Sequence, residues 1–473
     1  MSALRARPPV ALAILLLLGV AARVWLMVDY RPAYLSSNDS ARFLHFAHID
    51  DGMFEDTFGP TGYAAFLKVV RVVSDQIEFT IALQHLLGVL AAVLLYAALR
   101  RLGAPVWAAC VPAGATLLSG DQLYMEHTLL SEGPFLPLLA GGLYAGVRAL
   151  EGERSMRWLA LAGVLFAGTA LFRNVGLILP PVLVAWAFVA MPGGVRGRLR
   201  SAAVAAGAAA AVLLVYAAIA GLDGGNTGWT ATSGWNAYGR SAPFADCDRF
   251  DPPAGTEELC EDTPPDRRPG SLFYLWFDGS PARAKFKHPP LGQETLGKFG
   301  RRAILAQPLD YVKTVAADLP RFLNPELNKK RYSGGGYFLM SRRGDVAERN
   351  VLYQLSRDYD HGRFSPGSSG DTIAEWQRLQ RLGGVVPGLF VAFALLGLAA
   401  ARGVALRGLA LFGLAGAGLV VMPAATLTLL GRYTVPPMPI VAGAGAIGAW
   451  AIAARLRERR HARRGPAGEN PSP

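Results

Sequence analysis

Four charged residues lie at or shortly beyond the ends of long apolar runs: Asp39, Glu132, Arg173 and Arg432. Ionisable groups at such places are costly to keep, which draws attention to what they could do. A carboxylate such as Asp39, held at a membrane–water boundary, can take a proton from an arriving hydroxyl. An arginine's planar, permanently charged fork can give paired hydrogen bonds to a phosphate in a partly dry site. Each residue also has a plainer account. Asn38, Asp39 or Ser40 can simply cap a short helix. Glu132 can be an interfacial glutamate that samples water, and Arg173 can extend its guanidinium to the boundary. Asn38-Asp39-Ser40 also fits a glycosylation acceptor pattern, which its closeness to the membrane argues against.

The elements that would position these groups are apolar helices. The 473 residues are 52% hydrophobic and 17% charged, too apolar for an ordinary soluble protein. Nearly uncharged stretches near 10–28, 78–99, 104–120, 128–147, 157–172, 174–191, 201–221, 384–401, 406–425 and 435–454 predict about ten membrane-spanning helices, so the fold class is an all-α polytopic membrane protein. The first stretch has a basic start and small residues at Ala21 and Ala22, so a cleaved signal peptide is the alternative there.

The net charge of +12 is concentrated beside these stretches, which sets aside nucleic acid as a partner. Lys and Arg are retained on the cytoplasmic side during insertion. Arg5 and Arg7, Arg100 and Arg101, Arg148 to Arg157, Arg196 to Arg200, Arg402 and Arg407, and the cluster after Arg455 all fall on one parity. That parity predicts both chain ends in the cytoplasm of a plasma (inner) membrane, with the lipid bilayer as an obligatory partner. The divisions expected are a membrane module over 1–221 with a first outer loop over 29–77, an outer segment over 222–383, further spans over 384–454, and a basic, disordered tail over 455–473.

The first outer loop is expected to hold two interfacial helices: one bearing Phe43, Leu44, Phe46, Ala47 and Ile49, and one starting after Gly59-Pro60-Thr61-Gly62 and running through Tyr63 to Val70. The outer segment holds Cys247 and Cys260, which an oxidising exterior would let pair. Cys110 reads as a packing residue inside a span. The outer segment's acids and bases nearly balance, and Trp229, Trp235, Tyr238, Phe244, Tyr274 and Trp276 suit the core of a small cap, or stacking on sugars. Gln307 to Phe322 reads as an amphipathic helix lying back on the membrane, and 332–372 as mobile. No Cys/His spacing matches a structural zinc site, and His45, His48 and His127 read as surface or interface residues before metal ligands.

Several motifs together resemble the GT-C glycosyltransferases, in particular bacterial enzymes related to protein O-mannosyltransferases and aminoarabinose transferases. They are Asp39-Ser40, Phe43-Leu44, the run Gly59-Pro60-Thr61-Gly62-Tyr63, Glu132 in Ser131-Glu132-Gly133-Pro134, Arg173 in Phe172-Arg173-Asn174, and Gly431-Arg432-Tyr433 followed by prolines. Where many members carry a second acid or a Pro-Pro-Gly-Tyr-Pro run, this chain has Ser40 and Gly-Pro-Thr-Gly-Tyr-Ala. The resemblance implies a GT-C-like helical bundle that moves a sugar from a polyprenyl-phosphate donor to a cell-envelope glycan, lipid or protein acceptor at the outer face, with inversion. Asp39 would be the base, and Glu132, Arg173, Arg432, Tyr433 and Tyr63 would bind substrate. It implies no resident cofactor, although metal-using cousins leave a divalent metal open. The rival class is a transporter or lipid-linked glycan flippase. Such bundles usually show internal repeats of equal halves, and none is found here.

Overall fold

The computed structural model describes residues 9–33, 37–49, 52–152, 154–223, 229–327, 349–360 and 365–464. It is an all-helical polytopic membrane protein. The helices are α1 (Val10–Asp29), α2 (Ser37–His48), α3 (Gly62–Val73), α4 (Ile77–Arg101), α5 (Val106–Leu117), α6 (Gly120–Glu126), α7 (Glu132–Arg148), α8 (Ser155–Phe172), α9 (Leu179–Ala190) and α10 (Val195–Leu222). There follow α11 (Ser233–Ser241), α12 (Ser271–Trp276), α13 (Pro281–Phe286), α14 (Gln293–Ala306), α15 (Pro308–Asp318), α16 (Arg349–Asp358) and α17 (Ser369–Arg381). The chain ends with α18 (Val385–Ala400), α19 (Gly403–Thr426) and α20 (Pro437–Arg464).

A helix lies at each of the ten expected apolar stretches. By length and composition six of them can cross a bilayer alone, and a seventh crosses if α17 and α18, bent by 42° at their junction, count as one span. The stretch expected to begin at 128 begins as helix only at Glu132, because the Thr128 and Leu129 carbonyls accept from the Gln84 and Ser40 side chains instead of from helix N–H groups. Val10, Ile14, Leu17, Val24 and Val28 on α1, and Leu214, Val215 and Leu222 on α10, are exposed, as a lipid solvent allows. Inside, α4 packs on α5 and α7, α8 on α7 and α10, and α20 on α5, α18 and α19. The arginine-bearing turns gather at one end: Arg101 and Arg148 both pair with Glu151, and Arg455 donates to the Ala399 carbonyl. α1 enters and α20 leaves at that end, so Asp29 and Pro437 lie at the other.

That other end is covered by the first loop. α2 and α3 form as expected, but Asp39 is inside the first turn of α2, which starts at Ser37, so it does not cap the helix. The apolar face of α2 is also not laid on a membrane surface. Phe43, Leu44 and Ala47 are buried against Leu26, Tyr30, Tyr63 and Leu67 and under Leu355 of α16. A short antiparallel pairing of Tyr30–Arg31 with Ser365–Pro366 fastens the loop to the later chain.

The segment between α10 and α17 builds its own core from Trp235, Tyr238, Tyr274, Leu296 and Phe299, all fully buried. Trp276 remains 44% exposed. Cys247 and Cys260 are bonded, with Cα atoms 5.9 Å apart. α15 packs on α19 while Leu309 and Val312 stay exposed. Within the stretch expected to be mobile, residues 349–358 are helical, and most of the remainder lies outside the described residues. The tail expected to be disordered from 455 is helical through Arg464, because its Ala and Arg residues are good helix formers that let α20 continue. Residues 465–473 lie outside the described residues.

Candidate active site

Asp39, Glu132, Arg173, Arg432 and Tyr433 come together at the end of the bundle opposite the arginine-bearing turns. α2 supplies Asp39 and Arg42 one turn apart, so both face the same way. Glu132 opens α7, and Arg173 follows the last turn of α8. Arg432 and Tyr433 sit in a 3₁₀ turn, Gly431–Thr434, between α19 and α20.

The contacts are ion pairs. Arg432 Nη1 donates to Asp39 Oδ2, and Arg42 Nη2 donates to Asp39 Oδ1 at 3.3 Å. Arg42 Nη1 also donates to Asp56 Oδ2. Arg173 Nη1 pairs with Glu132 Oε1 and reaches Ser131 Oγ at 3.4 Å, while Arg432 Nε stands 3.7 Å from the same Glu132 oxygen. The Tyr433 ring lies against both guanidiniums, whose carbons are 5.3 Å (Arg173) and 5.6 Å (Arg432) from its centroid. Asp39 is 28% exposed and Arg432 17%, against 2% for Glu132 and 8% for Arg173, so the Asp39–Arg432 pair is the accessible half of the cluster.

Charge sets the protonation. Burial alone would raise the Asp39 carboxyl, but Arg432 and Arg42, with Arg173 behind them, hold it well below the usual carboxylate range. Burial wins at Asp56, whose carboxyl is pushed up despite Arg42. Beside the pairs a cleft is lined by Phe135, Val175, Leu419, Pro436 and Pro437, with Arg173 and Tyr433 at its polar side.

Tyr63 is not part of this cluster. It is fully buried, donates to Gln84 Oε1 at 2.7 Å and packs edge-on against Phe43, which makes it a strut between α3 and α4. Gly62 before it must be glycine: a Cβ there would meet the Leu171 carbonyl oxygen at 2.3 Å, and that contact sets α3 against the turn bearing Arg173.

The histidines singled out as possible ligands do not converge. His48 Nδ1 is 2.7 Å from Asp358 Oδ1, His45 lies edge-on to Phe46, and His127 is buried among other partners. Among the described residues no three His, Cys, Asp or Glu side chains are placed to share a metal ion, and Asp39 and Glu132 both face arginines.

Arg42 and Asp56 escaped the sequence reading. Arg42 carried a signal, one helical turn from Asp39. Arg381 is a third residue that was not singled out: it donates to Asp121 Oδ2 at 2.7 Å and Thr434 Oγ1 at 2.9 Å, tying α17 to α6 and to the turn that presents Arg432.

Residues 59–220 match the family model of dolichyl-phosphate-mannose-protein mannosyltransferases. No curated protein sequence matches the chain. Three solved structures are similar at low identity. The S. cerevisiae protein O-mannosyltransferase Pmt1-Pmt2 complex bound to the sugar donor is 14% identical, with 45% of this chain and 34% of that chain covered and a TM-score of 0.35. The archaeal oligosaccharyltransferase AglB from Archaeoglobus fulgidus, in complex with an inhibitory peptide and a dolichol-phosphate, is 13% identical over 97% of this chain and 52% of that one, at a TM-score of 0.46. ArnT from Cupriavidus metallidurans bound to undecaprenyl phosphate is 13% identical over 98% and 81%, at 0.36. The chain thus spans between a third and about half of the first two relatives. Asp39 and Arg432 lie outside the segment that the family model matches, while Glu132 and Arg173 lie inside it. Residues 59–220 are thus the part of this chain that is similar to the dolichyl-phosphate-mannose-protein mannosyltransferases.

Proposed function

We propose that this protein is a membrane glycosyltransferase that moves a sugar from a polyprenyl-monophosphate donor to a hydroxyl of a cell-envelope acceptor, at the outer face of the plasma membrane and with inversion. The observation that carries the reading is the pairing of Asp39 with Arg432 beside Glu132 and Arg173, next to the segment that the mannosyltransferase family matches. The arginine-bearing turns at the opposite end support the orientation, because such turns stay in the cytoplasm.

In this reading the acceptor O–H approaches Asp39, whose carboxylate takes the proton as the oxygen attacks the anomeric carbon. The bond from that carbon to the phosphate oxygen breaks, and the electron pair leaves with the polyprenyl phosphate. Arg432 and Arg173 stabilise the charge that develops there, in a site dry enough for it to matter. Phe135, Val175 and Leu419 put apolar side chains next to Arg173, the kind of neighbourhood that a phosphate on an isoprenoid chain requires. Glu132 holds Arg173 in place.

The three carboxylates Asp39, Asp56 and Glu132 balance the three arginines Arg42, Arg173 and Arg432. A phosphate therefore has to compete for Arg432 with Asp39. As Arg432 turns to the phosphate, Asp39 loses its strongest cationic neighbour and becomes a better base. Donor binding and activation of the base are then one event, and the acceptor follows the donor.

The test is incubation of the full chain in nanodiscs with undecaprenyl-phosphate sugars labelled in the sugar. Loss of donor with release of undecaprenyl phosphate is the expected result. A panel of such donors left intact, especially with movement of the lipid between leaflets, overturns the reading in favour of a flippase.

A further inference from the structure

A chain of buried charged groups that this reaction does not use lies beside the site. Arg23 interrupts the apolar face of α1 and is 4% exposed. Its Nε and Nη2 donate to the two carboxylate oxygens of Glu126 at 2.8 and 2.9 Å. Its remaining N–H groups reach the carbonyls of Gly19 and Leu117 at 2.9 Å and of Thr116 at 3.4 Å. Gln122 Nε2 adds a donor to Glu126 Oε1 at 3.0 Å, and His85 Nδ1 stands 2.9 Å from Oε2. His85 Nε2 is 3.1 Å from His127 Nδ1, and His127 Nε2 is 2.9 Å from the Tyr30 carbonyl oxygen. Glu126 and His127 are fully buried and His85 is 4% exposed. Gly88, one turn beyond His85 on α4, leaves room for the carboxylate, since a Cβ there would lie 1.8 Å from Glu126 Oε1.

The protons can be counted. Glu126 receives four donors, two of them from one guanidinium, so it is ionised and only accepts. The Tyr30 carbonyl likewise only accepts. Two imidazoles bridging two acceptors, and bonded to each other, need three ring protons, whereas two neutral imidazoles carry two. The pair therefore holds one surplus proton. Burial, then the neighbouring His85, push His127 down to about 3. Of the two rings only His85 touches the ionised Glu126 carboxylate, so the count places the extra proton there, in a cluster that Arg23 of α1 and Gln122 of α6 complete.

These groups bear on the site through the segment 126–132. Gln84, beside His85, donates to the Glu126 and Thr128 carbonyls, each at 2.9 Å. Ser40, the neighbour of Asp39, donates to the Leu129 carbonyl at 3.0 Å. Ser131 and Glu132 meet Arg173. The segment thus carries His127 near one end and Glu132 at the other, and α2 rests on its middle.

We infer that His85, an imidazolium clamped between Glu126 and His127, is a positioning residue that fixes segment 126–132 and so sets Glu132–Arg173 against Asp39–Arg432. Its effect on rate rests on the transferase reading, while its protonation does not. Nitrogen-15 spectra of the full chain, labelled at its seven histidines in nanodiscs at pH 7.5, test the second point. One imidazole with both nitrogens protonated, lost in H85Q, is expected; a singly protonated His85 overturns the inference. In the labelled-donor assay H85Q should lower kcat about tenfold with the donor KM within about twofold. Wild-type kcat in H85Q, or a donor KM that changes as much as kcat, overturns the positioning role, and H127N, which breaks only the second bond, replaces it should H85Q not fold. A wild type that consumes no donor counts against the transferase reading alone, and the spectra then decide.

Discussion

Asp39 and Arg432 are 393 residues apart in the chain and form an ion pair where α2 meets the turn before α20. The pair gives the carboxylate two duties, to answer the guanidinium and to accept a proton, and Asn can do neither as an anion. Asp39→Asn should therefore abolish sugar transfer, by at least about a thousandfold in kcat, while the protein still inserts and binds donor. Donor binding by labelled undecaprenyl phosphate and turnover by the radiolabelled assay separate the two. Turnover within tenfold of wild type sinks Asp39 as the base.

Arg432 tests the other half. Lysine keeps the charge but not the fork, so Arg432→Lys should lose about a hundredfold in kcat and weaken the donor several-fold, with Arg432→Gln lower still. Arg173→Lys should be milder at the donor, because Arg173 is already committed to Glu132. Equal, small effects at both positions in a kcat and KM series would detach the arginines from the leaving phosphate.

The depressed Asp39 carboxyl has a direction in pH. A carboxyl whose folded pKa lies below its ordinary value of 3.8 stays ionised as pH falls from 7 to 5, and its contribution to stability is lost only as pH drops through the lower, folded value. The kcat/KM for donor, which reports the free protein, should hold within about twofold between pH 7 and 5. In Arg432→Gln the cation that depresses Asp39 is gone, so the acid limb should move upward in pH. An acid limb above pH 5 in the wild type, or an unmoved one in the variant, contradicts the pairing as the cause.

Much of this arrangement could be read from residue order. Long apolar runs mark the helices whichever way they pack, and an acid or arginine at the end of a run is conspicuous because lipid penalises it. Glu132 and Arg173 stand out in this way, whereas Asp39 and Arg432 are marked by the motifs around them, Asp39-Ser40 and Gly431-Arg432-Tyr433. Arg23 lies inside the first run, where its residue type alone does not show a partner, since a single arginine among leucines can also snorkel. Tyr63 illustrates the opposite limit: the motif that contains it is visible, but only three-dimensional packing shows its ring in the core and its hydroxyl spent on Gln84. Arg42 and Asp56 sit among other loop charges, and nothing in their spacing says that they meet. Capping of α2 was misplaced because Ser37, Asn38, Asp39 and Ser40 are all good first-turn residues, and propensity does not choose among them.

The segment after α10 depends on a similar long-range pairing. Arg240 of α11 donates to Asp318 Oδ2 at 2.8 Å, and Thr428 Oγ1, three residues before Gly431, donates to the same oxygen at 3.0 Å. Arg321 Nη1 lies 3.7 Å from the other carboxylate oxygen. Asp318 is thus the anion that joins α11 and α15 to the strand of chain presenting Arg432, and Arg240 is 3% exposed at its side chain. Removing one member of a buried pair strands the other, at a cost of about 3–5 kcal/mol. Asp318→Asn should accordingly lower the thermal midpoint in detergent by several degrees. It should also reduce kcat through the displaced 428–432 segment, with donor KM less affected. The Cys247→Ser, Cys260→Ser variant is the comparison, since it opens a short loop within the same segment at about 3 kcal/mol without touching Thr428. It should lose stability and keep kcat. If both variants lose stability and neither loses rate, the Asp318 link holds the segment together but does not set the position of Arg432.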